Sequence, residues 1–298
     1  MVLLGLPPLI LGGLLLNNMK AAPDSDHSKS KFLETSPRPL AQPVNLRIVT
    51  FNVHDLYWES EDRPERMRAI ADRLTELDPD LVGFQEAFIA ADRKVLLAAL
   101  ADSRLKHHHY FRSGTVGSGL FVVSAFPIEE VLFHRYTRNG KWYKIRHGDW
   151  WAGKGVALAR VRLPDGGVLD FFNTHAHARY GSTEYDVDRF AQMREMADFI
   201  NRVATGNGPA IALGDFNCRP DSEAYQAIVE GAILQRMMTV DSRIDHIFGV
   251  GNDRYHFEAL NSESIDGEIE ANGHRTELSD HSGYLSTVRI SSKESNEQ

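Results

Sequence analysis

The segment IALGDFNCRP, residues 211–220, places two polar side chains directly after a run of small apolar residues. Residues 211–213 have the pattern of a buried strand end, and Gly214 permits a turn that a side chain would obstruct. Asp215 and Asn217 then lie one residue apart, where a slight bulge lets both side chains reach one cleft. Ordinary turns also favour Asp and Asn, so this segment alone leaves a structural and a chemical interpretation open.

Most of the other predicted strands also end in polar groups. These groups are Asn52, Glu86, His175, Asp245, Asp280 and His281. Each is weak evidence alone, because a single Asn is usually a turn residue and a single His is usually a hydrogen-bonded structural residue. Burying several carboxylates at sheet edges costs several kcal/mol unless a cation or hydrogen bonds compensate. The set as a whole therefore favours a functional cleft.

The residue types in this set favour hydrolysis of a phosphate ester. Carboxylate and amide oxygens without a cysteine ligand suit Mg²⁺ better than zinc, with Mn²⁺ as an alternative. Glu86 would hold the metal, whose open positions bind phosphate oxygens and neutralise their charge in the transition state. An aspartate beside an asparagine can orient and deprotonate an attacking water, and histidines can donate to the phosphoryl oxygens.

The composition limits the class of partner. The chain has 298 residues, 42% of them apolar, which is enough for one large or two small domains. Thirty-three basic and 41 acidic residues give a net charge of −8. This is the wrong sign for an enzyme that holds a long polyanion, so we expect no nucleic-acid partner. The single cysteine, Cys218, excludes an intramolecular disulfide and leaves the compartment open.

The N-terminal run MVLLGLPPLILGGLLL, residues 1–16, resembles the hydrophobic region of a signal peptide. It is short for a membrane span and has no basic residue before it. A mis-assigned start codon, a buried segment and a membrane anchor are the alternatives. We predict a signal peptide at 1–20, a flexible linker at 21–44, a catalytic domain at 45–291 and a polar tail at 292–298. The mature protein would then be secreted or periplasmic.

Hydrophobic patterning predicts strands that alternate with helices. Apolar spacing predicts helices at 63–77 and 188–204 and a shorter one that begins at KVLLAAL. Strands are predicted at LRIVTFNV, DLVGFQEAF, GSGLFVVSAFPI, GVALARVRL, GVLDFFNTHAH, RIDHIFGV and SGYLSTVRI, and in the segment that ends at Asp215. Hairpin-joined strands between helices indicate one α/β domain, in which mixed sheets pack together with helices outside.

Six segments, in chain order, carry a resemblance to a known superfamily. FNVHDL, GFQEAF, NTHAHA, GDFNCRP, RIDHIF and LSDHSGY are similar to motifs of the metal-dependent endonuclease/exonuclease/phosphatase superfamily, over residues 45–290. The resemblance implies a DNase I-like four-layer α/β sandwich of two mixed β-sheets flanked by helices. It also implies that Glu86 is a metal ligand, that Asn52 supports the metal site and that Asp280 borders it.

The same resemblance implies roles for the remaining strand-end residues. His175 and Asn217 would bind the phosphoryl oxygens, and Asp215 would position the nucleophilic water. His281 would act in general acid/base chemistry, oriented by Asp245.

Residues 111–130 and 134–161 are similar to the neutral sphingomyelinase branch, which shares FRSG, GSGL and HGDW followed by GK. That branch implies a loop that gates the active site through an aspartate and a lysine five residues apart, here Asp149 and Lys154. Lys154 could supply a positive charge to a phosphate. A Gly-rich surface turn is the alternative interpretation of this loop.

Substrate binding is assigned to Asp149, Trp150, Trp151 and Arg112 of these segments. Tryptophan rings settle at membrane interfaces, although paired tryptophans are more often core residues. The resemblance implies a Mg²⁺-dependent phospholipase C-type enzyme that hydrolyses sphingomyelin to ceramide and phosphocholine at a membrane surface. The alternatives are a DNase-like nuclease, a phosphoinositide phosphatase and a membrane-binding module with an inactive site.

Overall fold

A computed structural model describes residues 8–18, 30, 38–181 and 183–293. Within that part of the chain the α-helices are α1 (Pro8–Asn18), α2 (Arg63–Leu77), α3 (Ala90–Ala99), α4 (Asp149–Ala152), α5 (Asp186–Val203) and α6 (Glu223–Gly231). Its strands are β1 (Val44–Asp55), β2 (Leu81–Ala87), β3 (His107–Tyr110), β4 (Phe121–Ser124), β5 (Ile128–Arg135), β6 (Gly155–Arg162), β7 (Val168–His175), β8 (Ala210–Asp215), β9 (Leu234–Arg236), β10 (Asp245–Val250), β11 (Tyr255–Ile265), β12 (Glu268–Ala271), β13 (His274–Glu277) and β14 (Gly283–Ser292).

The strands form two six-stranded sheets and a separate hairpin of β12 and β13. The first sheet has the order β11-β14-β1-β2-β4-β3, and the second has the order β5-β6-β7-β8-β10-β9. β1 and β2 are parallel, as are β7 and β8, whereas their outer neighbours are antiparallel. Both sheets are therefore mixed. β14 reaches Ser292, the first residue of the predicted tail, and residues 294–298 lie outside the described chain.

Alternation along the strands builds the layers. On β1, Leu46 and Ile48 lie in the core between the sheets, whereas Phe51 lies in the core that α2 and α3 cover. On β8, Leu213 lies between the sheets and Ala212 lies under α5 and α6. Because successive strand residues face opposite sides, each central strand contributes to two cores. The predicted four-layer sandwich of two mixed sheets flanked by helices is confirmed.

One predicted strand, GSGLFVVSAFPI, is wrong as a single element. β4 ends at Ser124 in the first sheet, and β5 begins at Ile128 in the second. Between them the Ser124 hydroxyl accepts a hydrogen bond from the amide of Phe126, and Pro127 has no N–H for a ladder. The chain therefore changes sheets at this turn.

The N-terminal apolar run is partly described. Helix α1 ends at Asn18, whose Nδ2 donates to the carbonyl of Trp150 over 2.7 Å and whose Oδ1 accepts from the amide of Thr115 over 2.6 Å. No helix in the described ranges is long and apolar enough to cross a membrane. The run is thus joined to the segment that was predicted to gate the site.

The predicted linker is packed at its C-terminal end. Leu40 lies in the core between the sheets, and its amide donates to the Tyr255 hydroxyl over 3.2 Å. The folded part therefore begins before Asn45, because an apolar side chain just upstream finds a place in the core. Residues 19–29 and 31–37 of this region lie outside the described chain.

Candidate active site

The polar strand ends meet at one edge of the sandwich. β1, β2, β7 and β8 end at this edge, and β6 and β10 begin there. Asn52 Nδ2 donates to Asp215 Oδ2 over 3.1 Å, and Gln85 Nε2 donates to Asn173 Oδ1 over 2.8 Å. These two hydrogen bonds join the sheets, so one cleft contains side chains from both.

The turn after β8 fixes Asp215 and Asn217. Gly214 has φ of 142°, and a Cβ there would lie 2.0 Å from a carbonyl oxygen of β7, so the position requires glycine. Asn217 has φ of 49°, and its amide donates to Asp215 Oδ1 over 2.9 Å. Burial, followed by the charge of Asp245, raises the pKa of Asp215 to about 6. Asp215 is therefore mainly a carboxylate above neutral pH, held by its own turn.

His281 lies between two carboxylates. Its Nδ1 is 3.1 Å from Asp245 Oδ2, and its Nε2 is 3.8 Å from Asp215 Oδ2. Burial alone would lower the pKa of His281, but the hydrogen bond to Asp245 and the charge of Asp215 outweigh it and raise this pKa to about 10. His281 is therefore a cation near neutral pH and can donate a proton.

Glu86 offers a carboxylate whose burial is only partly compensated by its neighbours. It stands at the end of β2 with φ of 56°, and its Oε2 is buried without a hydrogen-bond partner in the described part of the chain. Burial raises the pKa of this carboxyl, against the opposing charge of Lys154 and a hydrogen bond from Asn52. A hard oxygen that is buried and unpaired beside an amide fits a divalent cation such as Mg²⁺.

A second group could also hold an ion. The ligand atoms of Asp215, Asp245 and His281 lie within 4.8 Å of one another. This group differs from the predicted ligands, because it lacks Glu86 and Asn52 and contains the predicted acid/base pair. Within this group, the hydrogen bond between His281 and Asp245 already compensates part of the negative charge of the carboxylates.

Asp280 lies at the rim of the cleft. Its side chain is 57% exposed, and its Oδ1 is 3.7 Å from Nδ1 of His54. Its predicted contact with the metal therefore stays a prediction. His54, which sequence reasoning missed, has φ of 46° and lies two residues after Asn52 in the FNVHDL motif. The presence of a second polar residue in that motif could have identified His54 from the sequence.

Lys154 is buried in the cleft with three polar partners. It forms an ion pair with Asp149, and Nζ donates to His175 Nε2 over 2.8 Å and to the carbonyl of Ala176 over 2.9 Å. Because the ammonium can only donate, His175 Nε2 accepts and the ring proton is on Nδ1. Burial and the nearby Lys154 charge hold the pKa of His175 well below its ordinary value. The two residues that the resemblance assigns to the gate are thus in contact.

Asp149 has further partners that sequence reasoning missed. Tyr180 donates its hydroxyl to Asp149 Oδ2 over 2.5 Å, and His177 Nδ1 lies 3.6 Å from the same oxygen. The pKa of Tyr180 is raised by burial and by the Asp149 charge, so its hydroxyl stays a donor. Both residues belong to the segment HAHARY, whose histidines alternate along the chain, and this spacing was the available signal.

The predicted lipid contacts of the gating loop are partly wrong. Trp151 is only 8% exposed, and its Nε1 donates to the carbonyl of Trp142 over 3.0 Å, because helix α4 turns this ring inward. Trp150 is half-buried against Trp151. Arg112 is exposed on the loop after β3, and the described chain gives it no bond to the cleft residues. Its predicted substrate contact stays a prediction.

Comparison with known proteins finds solved structures of similar fold and relatives of similar sequence. The fold is similar to a solved beta toxin variant of Staphylococcus aureus with bound magnesium ions, at a TM-score of 0.64 and 16% identity, covering 82% of this chain and 99% of that one. This likeness concerns the fold.

Two curated relatives are more similar in sequence. Sphingomyelin phosphodiesterase 2 of Homo sapiens is 38% identical over 180 residues, which cover 60% of this chain and 42% of that protein. Inositol phosphosphingolipids phospholipase C of Schizosaccharomyces pombe is 34% identical over 191 residues, which cover 63% of this chain and 45% of that protein. The chain thus spans less than half the length of either relative. Since residues 49–281 match the Endonuclease/Exonuclease/phosphatase family, the chain belongs to that family.

Proposed function

We propose that this chain is a Mg²⁺-dependent phosphodiesterase of the phospholipase C type, which hydrolyses sphingomyelin to ceramide and phosphocholine. The observation that carries the proposal is the buried Lys154, paired with Asp149 and bonded to His175, in a cleft that also holds the His281–Asp245 pair. The similarity to human sphingomyelin phosphodiesterase 2 supports the choice of substrate.

The protons of the reaction are assigned to two residues. A water oxygen bonds to phosphorus while the bond from phosphorus to the ceramide oxygen breaks. The Asp215 carboxylate orients the water and accepts its proton. The His281 cation donates a proton to the departing ceramide oxygen, and Asp245 keeps it charged and oriented.

The negative charge of the phosphoryl group is met by donors already fixed in the cleft. Lys154 is 5% exposed and held at its Nζ by Asp149, His175 and the Ala176 carbonyl, so it loses little freedom when a phosphate arrives. His175 is neutral, and its position sets that of the ammonium. Asn217 Nδ2 donates to the Ala176 carbonyl over 3.1 Å, which places the amide beside the same cleft wall.

Glu86 and Asn52 would hold the divalent cation. A bound Mg²⁺, or Mn²⁺ as an alternative, would neutralise charge on the phosphoryl oxygens. The unpartnered Glu86 oxygen supports this assignment, as does a fold neighbour that was solved with magnesium. Without a cation, the burial of the Glu86 carboxylate is only partly compensated by the Lys154 charge and the Asn52 hydrogen bond.

Sphingolipids with an inositol phosphate head group are a second candidate. The similarity to the Schizosaccharomyces pombe enzyme favours them, because its name assigns it to inositol phosphosphingolipids. The bond cleaved and the protonation steps would be the same. Only contacts to the head group beyond the phosphate would distinguish the two substrates.

The test is a substrate panel with the full chain and a metal arm. Sphingomyelin, inositol phosphoceramide, a phosphoinositide and double-stranded DNA are incubated with Mg²⁺ or with EDTA. We expect sphingolipid cleavage that needs Mg²⁺ and is lost in Glu86→Gln by about 10²-fold or more. Glu86→Gln should also raise the melting temperature of the protein in EDTA, since it removes a carboxylate whose burial is only partly compensated. The same variant should lose the stabilisation that Mg²⁺ gives the wild-type protein. Cleavage of DNA or of the phosphoinositide alone would contradict the proposal.

We also propose that the apolar N-terminal segment directs the chain out of the cytoplasm. The contacts of Asn18 with Trp150 and Thr115 support retention of the segment over its removal. N-terminal sequencing of protein from the native host distinguishes a cleaved from a retained segment, and intact Met1 in cytosolic protein would contradict export.

A further inference from the structure

The loop that follows β1 holds the most exposed tryptophan of the described chain. Trp58 is 95% exposed and its neighbour Tyr57 is 53% exposed. Their ring centroids are 6.0 Å apart at an interplanar angle of 46°. Exposing two adjacent amphipathic rings to water is unfavourable, and the surfaces of soluble proteins usually lack such pairs. The pair therefore indicates a binding surface.

The base of this loop is built to hold the rings outward. The amide of Leu56 donates to the Ser60 hydroxyl over 3.0 Å, and that hydroxyl in turn donates to the carbonyl of His54. Arg63 extends to the carbonyl of Tyr57 over 3.4 Å and to that of Ser60 over 3.2 Å. The backbone is therefore closed on itself, and the exposure of the rings is a property of an ordered loop.

The loop leaves the first sheet at the edge that holds the site. It begins after Asp55, the last residue of β1, and Asn52 of the same strand bonds to Asp215 across the two sheets at that edge. A second exposed aromatic pair, Trp142 and Tyr143, lies in the segment that leads from the second sheet into the gating loop. One exposed aromatic pair therefore comes after a strand of each sheet, at the edge that holds the site.

We propose that Tyr57 and Trp58 form a membrane anchor, which inserts into the interface of a zwitterionic bilayer and turns the cleft toward the lipid phosphates. This inference rests on the proposed function, because a lipid substrate makes a bilayer the surface at the mouth of the cleft. Indole and phenol rings have an apolar body and a polar end, which suits the head-group level of a bilayer.

The charges around the rings select the kind of bilayer. Glu59 and Glu61 are exposed beside Trp58, and they would be repelled by anionic lipids or by nucleic acid. Insertion should therefore depend on the rings and be nearly independent of salt. A surface of phosphocholine head groups has no net charge to repel the two glutamates, and it accommodates aromatic rings at the head-group level.

The test separates binding from turnover. Wild type, Trp58→Ala and Trp58→Phe are sedimented with vesicles of equimolar phosphatidylcholine and sphingomyelin in EDTA. We expect Trp58→Ala to bind about tenfold more weakly and Trp58→Phe to retain part of the affinity. Acyl-brominated lipids should quench wild-type fluorescence more than that of Trp58→Phe. Ile233→Ala is the matched control, since Ile233 is 69% exposed and lies next to β9, whose pairing places it at the opposite edge.

Each outcome has a defined consequence. Hydrolysis of a soluble phosphodiester should be unchanged in Trp58→Ala, because the ring is 95% exposed and therefore packs little against the described cleft. Wild-type binding by Trp58→Ala, or an equal loss in Ile233→Ala, would overturn the anchor. A change only in the oligomeric state of Trp58→Ala would assign the rings to a second copy of the chain and overturn it as well. Binding that depends on Trp58 without sphingolipid cleavage would contradict the proposed function while the anchor stands.

Discussion

His281→Ala is expected to lower the rate of sphingolipid hydrolysis by about 10²-fold to 10⁴-fold while the fold is retained. The imidazolium has a pKa of about 10 and lies 3.1 Å from Asp245, so the substitution removes the proton donor of the cleft. Steady-state kinetics on mixed micelles measure the loss. His256→Ala is the matched control, because His256 is exposed on β11, away from the cleft.

The pH dependence of kcat/KM tests the role of His281 as proton donor more specifically. The protonated form of His281 is the active one, and its raised pKa keeps it protonated until pH approaches 10. Asp245→Asn removes the charge that raises this pKa, so the alkaline loss of kcat/KM should move to lower pH. An unchanged alkaline limb in Asp245→Asn, or wild-type turnover in His281→Ala, would show that another group donates the proton.

Lys154→Ala is expected to lower turnover by about 10²-fold to 10³-fold on sphingomyelin in bilayers and on a soluble phosphodiester alike. A loop that only couples lipid engagement to site assembly would instead affect the bilayer substrate. The structure favours equal losses, because Nζ is buried and bonded to His175 inside the cleft.

Two further variants test how the ammonium is held. Lys154→Arg should fail to restore activity, since a guanidinium is larger and planar and cannot replace an ammonium between Asp149, His175 and the Ala176 carbonyl. Tyr180→Phe removes one hydrogen bond to Asp149 and should cause a smaller loss than Lys154→Ala. A loss in Lys154→Ala confined to bilayers would return this loop to a gating role.

Much of the cleft could be predicted because an apolar strand that ends in a polar residue marks where the chain leaves the core. Glu86 and Asp215 were recognised in this way. The hydrogen bond between Asn52 and Asp215 could not be predicted from local pattern, since it joins residues 163 positions apart and depends on how the sheets pack. The order of the six motifs supplied that proximity through resemblance alone.

Local structure explains why some residues and one strand were not predicted correctly from the sequence. Trp151 lies within the four-residue helix α4, which directs its ring into the protein, and no spacing rule predicts this orientation from the sequence. β11 was missed because it is an edge strand with polar residues such as Glu258 and Ser264 among its apolar ones. Trp58 was missed because two adjacent aromatic residues in a short polar loop carry no periodic signal.

Product analysis in ¹⁸O-labelled water tests the central claim most directly. Wild-type protein with Mg²⁺ is incubated with sphingomyelin, and the products are resolved by mass spectrometry. We predict unlabelled ceramide and phosphocholine that carries one ¹⁸O atom, because water attacks phosphorus and the bond to the ceramide oxygen breaks. Neither product should form in EDTA. With His281→Ala, the amount of each product should not exceed the residual background of that variant. Release of choline with ceramide phosphate, or the absence of any sphingolipid product, would contradict the account.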